Sequence, residues 1–240
     1  MARKGGSKSL KRYAAPKVMQ VSSVKEKKFV AMPKPGPHRR WLSLPLQVIV
    51  RDVLKMAETG REAKHVISHS MVLVDGVVRA SYKFPVGLMD VVTMKELGKH
   101  YRVLVNEKGR LTPVEVPQEE ASIKICRINR KYLYEGGLKL ATEDGRTFGT
   151  DDSSLNIGGS LLVRVPDNVI VDKAPLAEGN TGYVFMGKHA GATGLVKKAS
   201  ESSLLRKSMV TLALGDGRKV DTIRDYVMIV GRDKPWLKLF

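Results

Sequence analysis

From residue 46 the apolar positions recur three and four apart, at Leu46, Ile49, Val50, Val53 and Leu54. That is the spacing of one buried helix face, and it predicts a helix over residues 46–57, with Ser43 as its cap and Pro45 in its first turn. Arg51 and Lys55, four apart, then share an exposed face. A second helix is predicted after Thr59, because the Thr59 hydroxyl and the Glu62 carboxylate are spaced to satisfy each other's free amides in a capping box. Ala63, Val66 and Ile67 turn inward on this helix, while Arg61, Lys64, His65 and Ser68 turn outward. The period then shortens to two. Met71 to Val74 reads as a strand, Asp75-Gly76 supplies the two positive φ angles of a type I′ turn, and Val77 to Arg79 returns.

Beyond residue 100 the pattern is almost entirely that of strands. Tyr101 to Val105 leads into the turn 106–109, and Ile123 to Asn129 follows. Leu138 to Thr142 and Arg146 to Phe148 flank Glu143-Asp-Gly145, and Leu161 to Val165 continues the series, a spacing expected of a small barrel or sandwich. A third region opens near Glu178, where a strand enters a glycine-punctuated turn and another leaves it. Gly187, Gly191 and Gly194 there free the backbone to adopt positive φ and to approach a partner closely. A hairpin across Gly215-Asp-Gly217 and a strand from Tyr226 to Val230 complete the chain.

Charge changes this picture. Among 240 residues, 42 Lys and Arg face 24 Asp and Glu, leaving +18. Such an excess points to an anionic partner, nucleic acid before membrane. Residues 1–40 carry 12 of the basic residues and one acid, Glu26, so +11 of the +18 lies there. Gly5, Gly6, Pro16, Pro33, Pro35 and Pro37 interrupt any helix in that segment. It is expected to be a solvated arm that orders on RNA by neutralising phosphates. No apolar run reaches membrane-spanning length, no signal-peptide core precedes the arm, and the lone Cys126 excludes an internal disulfide. These features predict a cytoplasmic protein.

Catalytic chemistry finds little support in the residues. Gly182 to Lys188 has the spacing of a phosphate-cradling loop, but His189 stands where a hydroxyl should ligate Mg²⁺, and Gly191 and Gly194 disfavour the required helix. His65 and His69 could share a metal, yet no further ligand completes a set. Cys126 alternates with polar neighbours and is expected to be a core thiol, since no paired base accompanies it. With aromatic residues at 6%, phosphate, 2′-hydroxyl and shape contacts to folded RNA suit this chain better than stacked single-strand readout.

Three resemblances sharpen the reading. The helix pair followed by Val72-Leu-Val-Asp-Gly-Val-Val-Arg79 resembles the small RNA-binding fold of bacterial ribosomal protein four, heat-shock and pseudouridine-synthase modules and some tRNA synthetases. More narrowly, Gly36-Pro-His38, Leu44-Pro-Leu46, Arg51, Thr59-Gly60, the Asp75-Gly76 turn, Phe84 to Val91, Glu119-Glu-Ala121, Lys124 to Arg127 and Ile229 to Trp236 resemble the archaeal and eukaryotic e-type small-subunit ribosomal protein four, with the compact length favouring the archaeal form. Tyr183 to His189 is similar, in divergent form, to the KOW-type motif of ribosomal proteins and transcription elongation factors, which sits on an SH3-like barrel.

The resemblance implies an α+β multidomain chain. Its parts are a basic N-terminal arm at 1–42, a small two-helix-plus-hairpin RNA-binding domain at 43–96, a central β-rich domain at 97–172, and a C-terminal SH3-like β-barrel at 173–240. It implies a structural constituent of the small ribosomal subunit that binds folded ribosomal RNA beside neighbouring ribosomal proteins, with no cofactor, metal, membrane or small-molecule substrate. The expected RNA contacts are Arg3, Lys4, Lys8, Lys11, Arg12, Lys17, His38, Arg39 and Arg40 in the arm. Arg51, Lys55, Arg61, Lys64 and His65 follow on the helices, Arg79 and Lys83 beyond the hairpin, and Gly187, Lys188 and His189 in the glycine loop. Two alternatives stay open: a transcription elongation factor with a KOW-type barrel, and an RNA-modifying enzyme with an RNA-guiding domain.

Overall fold

The structure, a computed structural model, describes residues 9–19, 28–134, 136–200, 208–215 and 217–239. Strands dominate these residues, and the fold rests on three five-stranded antiparallel sheets. In the first, the order is Val77–Val78, Val72–Val74, Val91–Met94, Lys99–Val105 and Leu111–Val116. It begins at the Asp75-Gly76 turn, whose φ angles of 51° and 76° match the type I′ expectation, and it continues unbroken through residue 97.

The second sheet is built on the long strand Ile123–Tyr134. One half of that strand pairs with Ser160–Arg164 and Val169–Ala174 lies beyond, while the other half pairs with Gly137–Thr142 and then Thr147–Thr150. The third sheet runs Lys219–Ile223, Met209–Leu214, Thr193–Ser200, Thr181–Val184, Val227–Gly231, so the last strand returns to pair with the first of that region.

The helical part differs from expectation in one place. Only Leu46–Val48 is α-helical before the chain widens into a π-turn at Ile49–Val53, where the Leu54 amide donates to the Ile49 carbonyl at 2.8 Å. Ser43 does not cap it. Pro45 holds the cap position, and the Ser43 hydroxyl points back to the Arg40 carbonyl. The second helix, Gly60–Ser68, follows its sequence closely: Glu62 N–H donates to the Thr59 hydroxyl, and the Glu62 carboxylate accepts from the Thr59 amide. Those bonds hold the Glu62 carboxyl below its ordinary value.

The largest core joins regions far apart in sequence. Leu10, Met19 and Val30 of the arm pack with Leu46, Ile49 and Ile67, with Val103 and Leu104, and with Tyr183, Met228 and Leu237. The arm therefore departs from the solvated segment its charge predicts. Leu10–Lys11 pairs with Phe29–Val30, Arg12 is buried, and the Leu111 amide donates to the Val18 carbonyl at 3.1 Å. Leu10, Met19 and Val30 offset the self-repulsion of the arm's cations by joining the main core.

Candidate nucleic-acid interface

The cleanest cationic face belongs to the helix Gly60–Ser68. Ala63 and Ile67 are buried, which leaves Arg61, Lys64 and His65 exposed as their spacing predicts. Lys64 Nζ lies 4.5 Å from the centre of the Tyr82 ring and Lys83 Nζ lies 5.5 Å from it, so one ring holds two cations in place. His65 and His69 stack at 3.9 Å, and His69 Nδ1 is 2.8 Å from the His65 carbonyl oxygen. Among the described residues, no group of three His, Cys, Asp or Glu side chains is placed to hold a metal ion.

Arg51 is a correction to the shared face expected with Lys55. Its Nε and Nη2 donate to both Asp52 carboxylate oxygens at 2.8 and 2.7 Å, and its side chain is 12% exposed. The π-turn causes this. A wider turn rotates Arg51 away from the face an α-helix would give it, and Gly60 leaves the space in which Arg51 and Gln47 pack against the start of the second helix. Lys55 is exposed just beyond the turn, at φ 53°.

In the arm, Arg3, Lys4 and Lys8 lie outside the described residues. Lys11, Lys17, Arg39 and Arg40 are exposed, whereas Arg12 is turned inward. Arg79 is half-buried, its guanidinium 4.6 Å from the centre of the Phe84 ring. In the glycine loop, Lys188 is exposed and His189 half-buried, with Gly187 at φ 89° and Gly191 at φ 86°. The close approach at Gly191 is to the protein's own chain: a Cβ there would meet the Glu107 amide nitrogen at 2.8 Å. The segment Gly182 to Lys188 is strand and turn leading to the strand Thr193–Ser200, without a helix to cradle a phosphate.

His38 is the second correction. It is neither isolated nor aimed at solvent, because its Nε2 meets the Asp90 carboxylate at 2.8 to 2.9 Å in a buried charge cluster. Lys124 stands at the centre, 2% exposed, donating to Asp75 at 2.8 Å and to Asp90, and lying 3.1 Å from Asp144. Arg146 adds a second cation, 2.7 Å from Asp75. Backbone amides complete the set, with Gly87 donating to Asp90 and Val91 donating to Asp75.

Burial alone would push the Asp90 and Asp144 carboxyls up. His38 and then Lys124 reverse this for Asp90, while Lys124, with Thr142 and Arg146, reverses it for Asp144, which is held at about 2. Burial would likewise lower the Lys124 ammonium, but Asp75, Asp90 and Asp144 carry it well above the usual lysine range. Gly87 is required here, since any Cβ would strike the His38 ring at 2.3 Å. The signal for this cluster was charged residues inside apolar runs, Ile-Lys124-Ile and Met-Asp90-Val, and it gives no partner.

Three further ties fix the sheets. Arg127 donates to the Val227 and Arg224 carbonyls and to Glu143. Tyr183 shares its hydroxyl with the Val105 backbone, and the buried Arg102 reaches Glu120. Cys126 is buried beside Asp144, and burial pushes its thiol far above the ordinary range, as expected of a core thiol.

Comparison with known proteins accounts for most of this plan. Residues 97–170 match the model described as ribosomal family S4e, residues 4–40 match the RS4NT domain, and residues 44–92 match the S4 domain. Small ribosomal subunit protein eS4 of Methanococcus vannielii is 40% identical over the full length of both chains. The chain belongs to the S4e family. Another member, protein eS4 of Archaeoglobus fulgidus, is 43% identical over 95% of this chain and 97% of its own. The crystal structure of the 30S ribosomal protein S4e from Thermoplasma acidophilum superposes with a TM-score of 0.68 at 35% identity, covering 80% of this chain and 95% of the other. Within this S4e chain, the segments whose resemblance was noted serve largely internal packing: His38, Asp75, Gly87, Asp90 and Lys124 all meet in the buried cluster.

Proposed function

We propose that this protein is a structural constituent of the small ribosomal subunit, working in the cytoplasm within the ribosome, and that it holds folded ribosomal RNA through phosphate and shape contacts without bond-making chemistry. The observation that carries the proposal is the outward face of the helix Gly60–Ser68, where Arg61, Lys64 and His65 stand clear of a fully packed underside in an S4e-family chain. Glu62, the acid beside them, is engaged by the cap.

In this reading Lys11, Lys17, Arg39 and Arg40 of the arm, Lys55 and Lys83 beside the helices, and Lys188 on the glycine loop extend the contact across the surface. Arg3, Lys4 and Lys8, outside the described residues, are proposed as RNA contacts as well. Gly187, exposed beside Lys188, belongs to that surface, while Arg12, His38, Arg51, Arg79 and His189 act from behind it. The division at residue 42 and an SH3-like closure of the C-terminal sheet belong to the same proposal, as do neighbouring ribosomal proteins as partners. Residue 96 falls between two paired strands of the first sheet and residue 172 within the strand Val169–Ala174, so the divisions expected there do not hold. Sedimentation of cell extract in moderate salt tests it. The protein is expected with the small-subunit fractions, and its absence from them would overturn the assignment.

A further inference from the structure

The arm carries a feature that phosphate binding leaves unexplained: three aromatic rings held in the open, Tyr13, Phe29 and Trp41, of which the first two stand beside lysines at the short ladder. Tyr13, in the 3-10 turn Arg12–Ala14 that follows the strand Leu10–Lys11, is 72% exposed, and Phe29, on the facing strand Phe29–Val30, is 50% exposed. Leu10 and Val30 face each other across that ladder and are buried in the main core, so Lys11 and Phe29, also directly opposed, face outward. Lys11 Nζ lies 5.7 Å from the centre of the Tyr13 ring, and Lys28 Nζ lies 5.7 Å from the centre of the Phe29 ring. Ring and cation therefore alternate, Tyr13, Lys11, Phe29, Lys28, across one small surface. Residues 9–19 and 28–42 contain no Asp or Glu, so nothing in these segments opposes the charge.

We propose that this surface takes unpaired bases of the bound RNA, stacking them on Tyr13 and Phe29 while Lys11 and Lys28 meet the flanking phosphates. The proposal rests on the RNA-binding reading above and adds the kind of RNA structure recognised. A base inside a duplex already has both faces covered, so only a bulge, loop or junction nucleotide can reach a ring. Charge complementarity selects a polyanion. The buried side of the ladder, together with the Val18 to Leu111 backbone bond, fixes the rings before binding, which limits the ordering that association would otherwise require.

The test uses the full chain with two probes, a blunt RNA duplex and the same duplex carrying one bulged 2-aminopurine. The wild-type chain is expected to prefer the bulged probe and to quench its fluorescence. The double variant Tyr13→Ala, Phe29→Ala is expected to lose about tenfold affinity for the bulged probe, while keeping its affinity for the duplex, its salt dependence and its melting temperature. Tyr13→Trp with Phe29→Trp restores the preference.

Equal wild-type affinity for the two probes, absence of quenching, or equal loss on both probes in the double variant overturns the stacking site. So does loss of binding to anionic vesicles with bulged-probe affinity intact, which assigns the rings to lipid. If salt-dependent duplex binding survives any of these results, only the stacking proposal falls. If the wild-type chain binds neither RNA, the RNA-binding reading falls with it.

Discussion

At the scale of single residues, Lys124 shows how a cation can be structural in a chain whose charge advertises RNA. Its ammonium is almost fully buried and is surrounded by three carboxylates. Lys124→Met would leave Asp75, Asp90 and Asp144 facing one another beside Arg146. A loss of roughly 3–5 kcal/mol in urea unfolding is expected, the usual penalty for removing one side of a buried ion pair. The cluster also fixes a pH response. Asp144 and Asp90 ionise more readily folded than unfolded, so their stabilisation is complete above the ordinary carboxylate range. For Asp144 it disappears as pH falls from about 4 toward 2, and for Asp90 only at lower pH still. For Lys124 the sign is opposite: its contribution is present below the ordinary lysine range and is lost only as pH rises through the elevated folded value. Melting temperature followed against pH should therefore fall on the acid side, and Asp144→Asn should flatten that limb. Arg51 makes the same point on a smaller scale. Arg51→Ala is expected to lower stability by roughly 1–3 kcal/mol, because it removes a two-pronged charged hydrogen bond that is largely shielded from water.

At the scale of elements, sequence reading was sound where one local interaction decides the geometry. The Thr59–Glu62 capping box, the Asp75-Gly76 turn and the strand alternation were all legible, since each needs only residues a few positions apart. It failed at the π-turn, where Leu46 to Leu54 keeps a helical apolar period but the chain takes a wider turn, with Gln47 and Arg51 close against Gly60 of the second helix. Arg61 and Lys64 lie on the helix whose faces were legible. Arg61→Ala with Lys64→Ala should leave melting unchanged and lessen the magnitude of the salt slope of RNA binding by about 2, about 1 per lost phosphate contact. A large fall in melting temperature would show that these side chains support the fold. The glycine loop is the converse case. Gly191→Ala is expected to destabilise by more than about 1 kcal/mol in urea unfolding, because a side chain at φ 86° is strained and would strike the backbone of residues 106–107.

At the scale of the whole molecule, a net +18 on 240 residues makes binding to RNA a counterion-release process. If about ten phosphates are neutralised, log affinity for small-subunit ribosomal RNA should fall against log salt with a slope of roughly −7 to −9. A flat salt dependence in filter binding would remove that mechanism. The sequence by itself determined the cationic excess, its concentration in the arm, most strands and turns, and the outward face of the second helix. Each of these follows from composition or from neighbours within a turn or two. Only the tertiary structure decided which charges are available. His38, Asp75, Asp90, Lys124 and the neighbouring Asp144 and Arg146 come from separate stretches of the chain, and burial pairs them because an isolated charge away from water is too unfavourable to persist. The same packing turned Arg12 and Arg51 inward and left Tyr13 and Phe29 outside. Periodicity assigns a residue to a face of its own element, but which face meets solvent is fixed by what the rest of the chain lays against it.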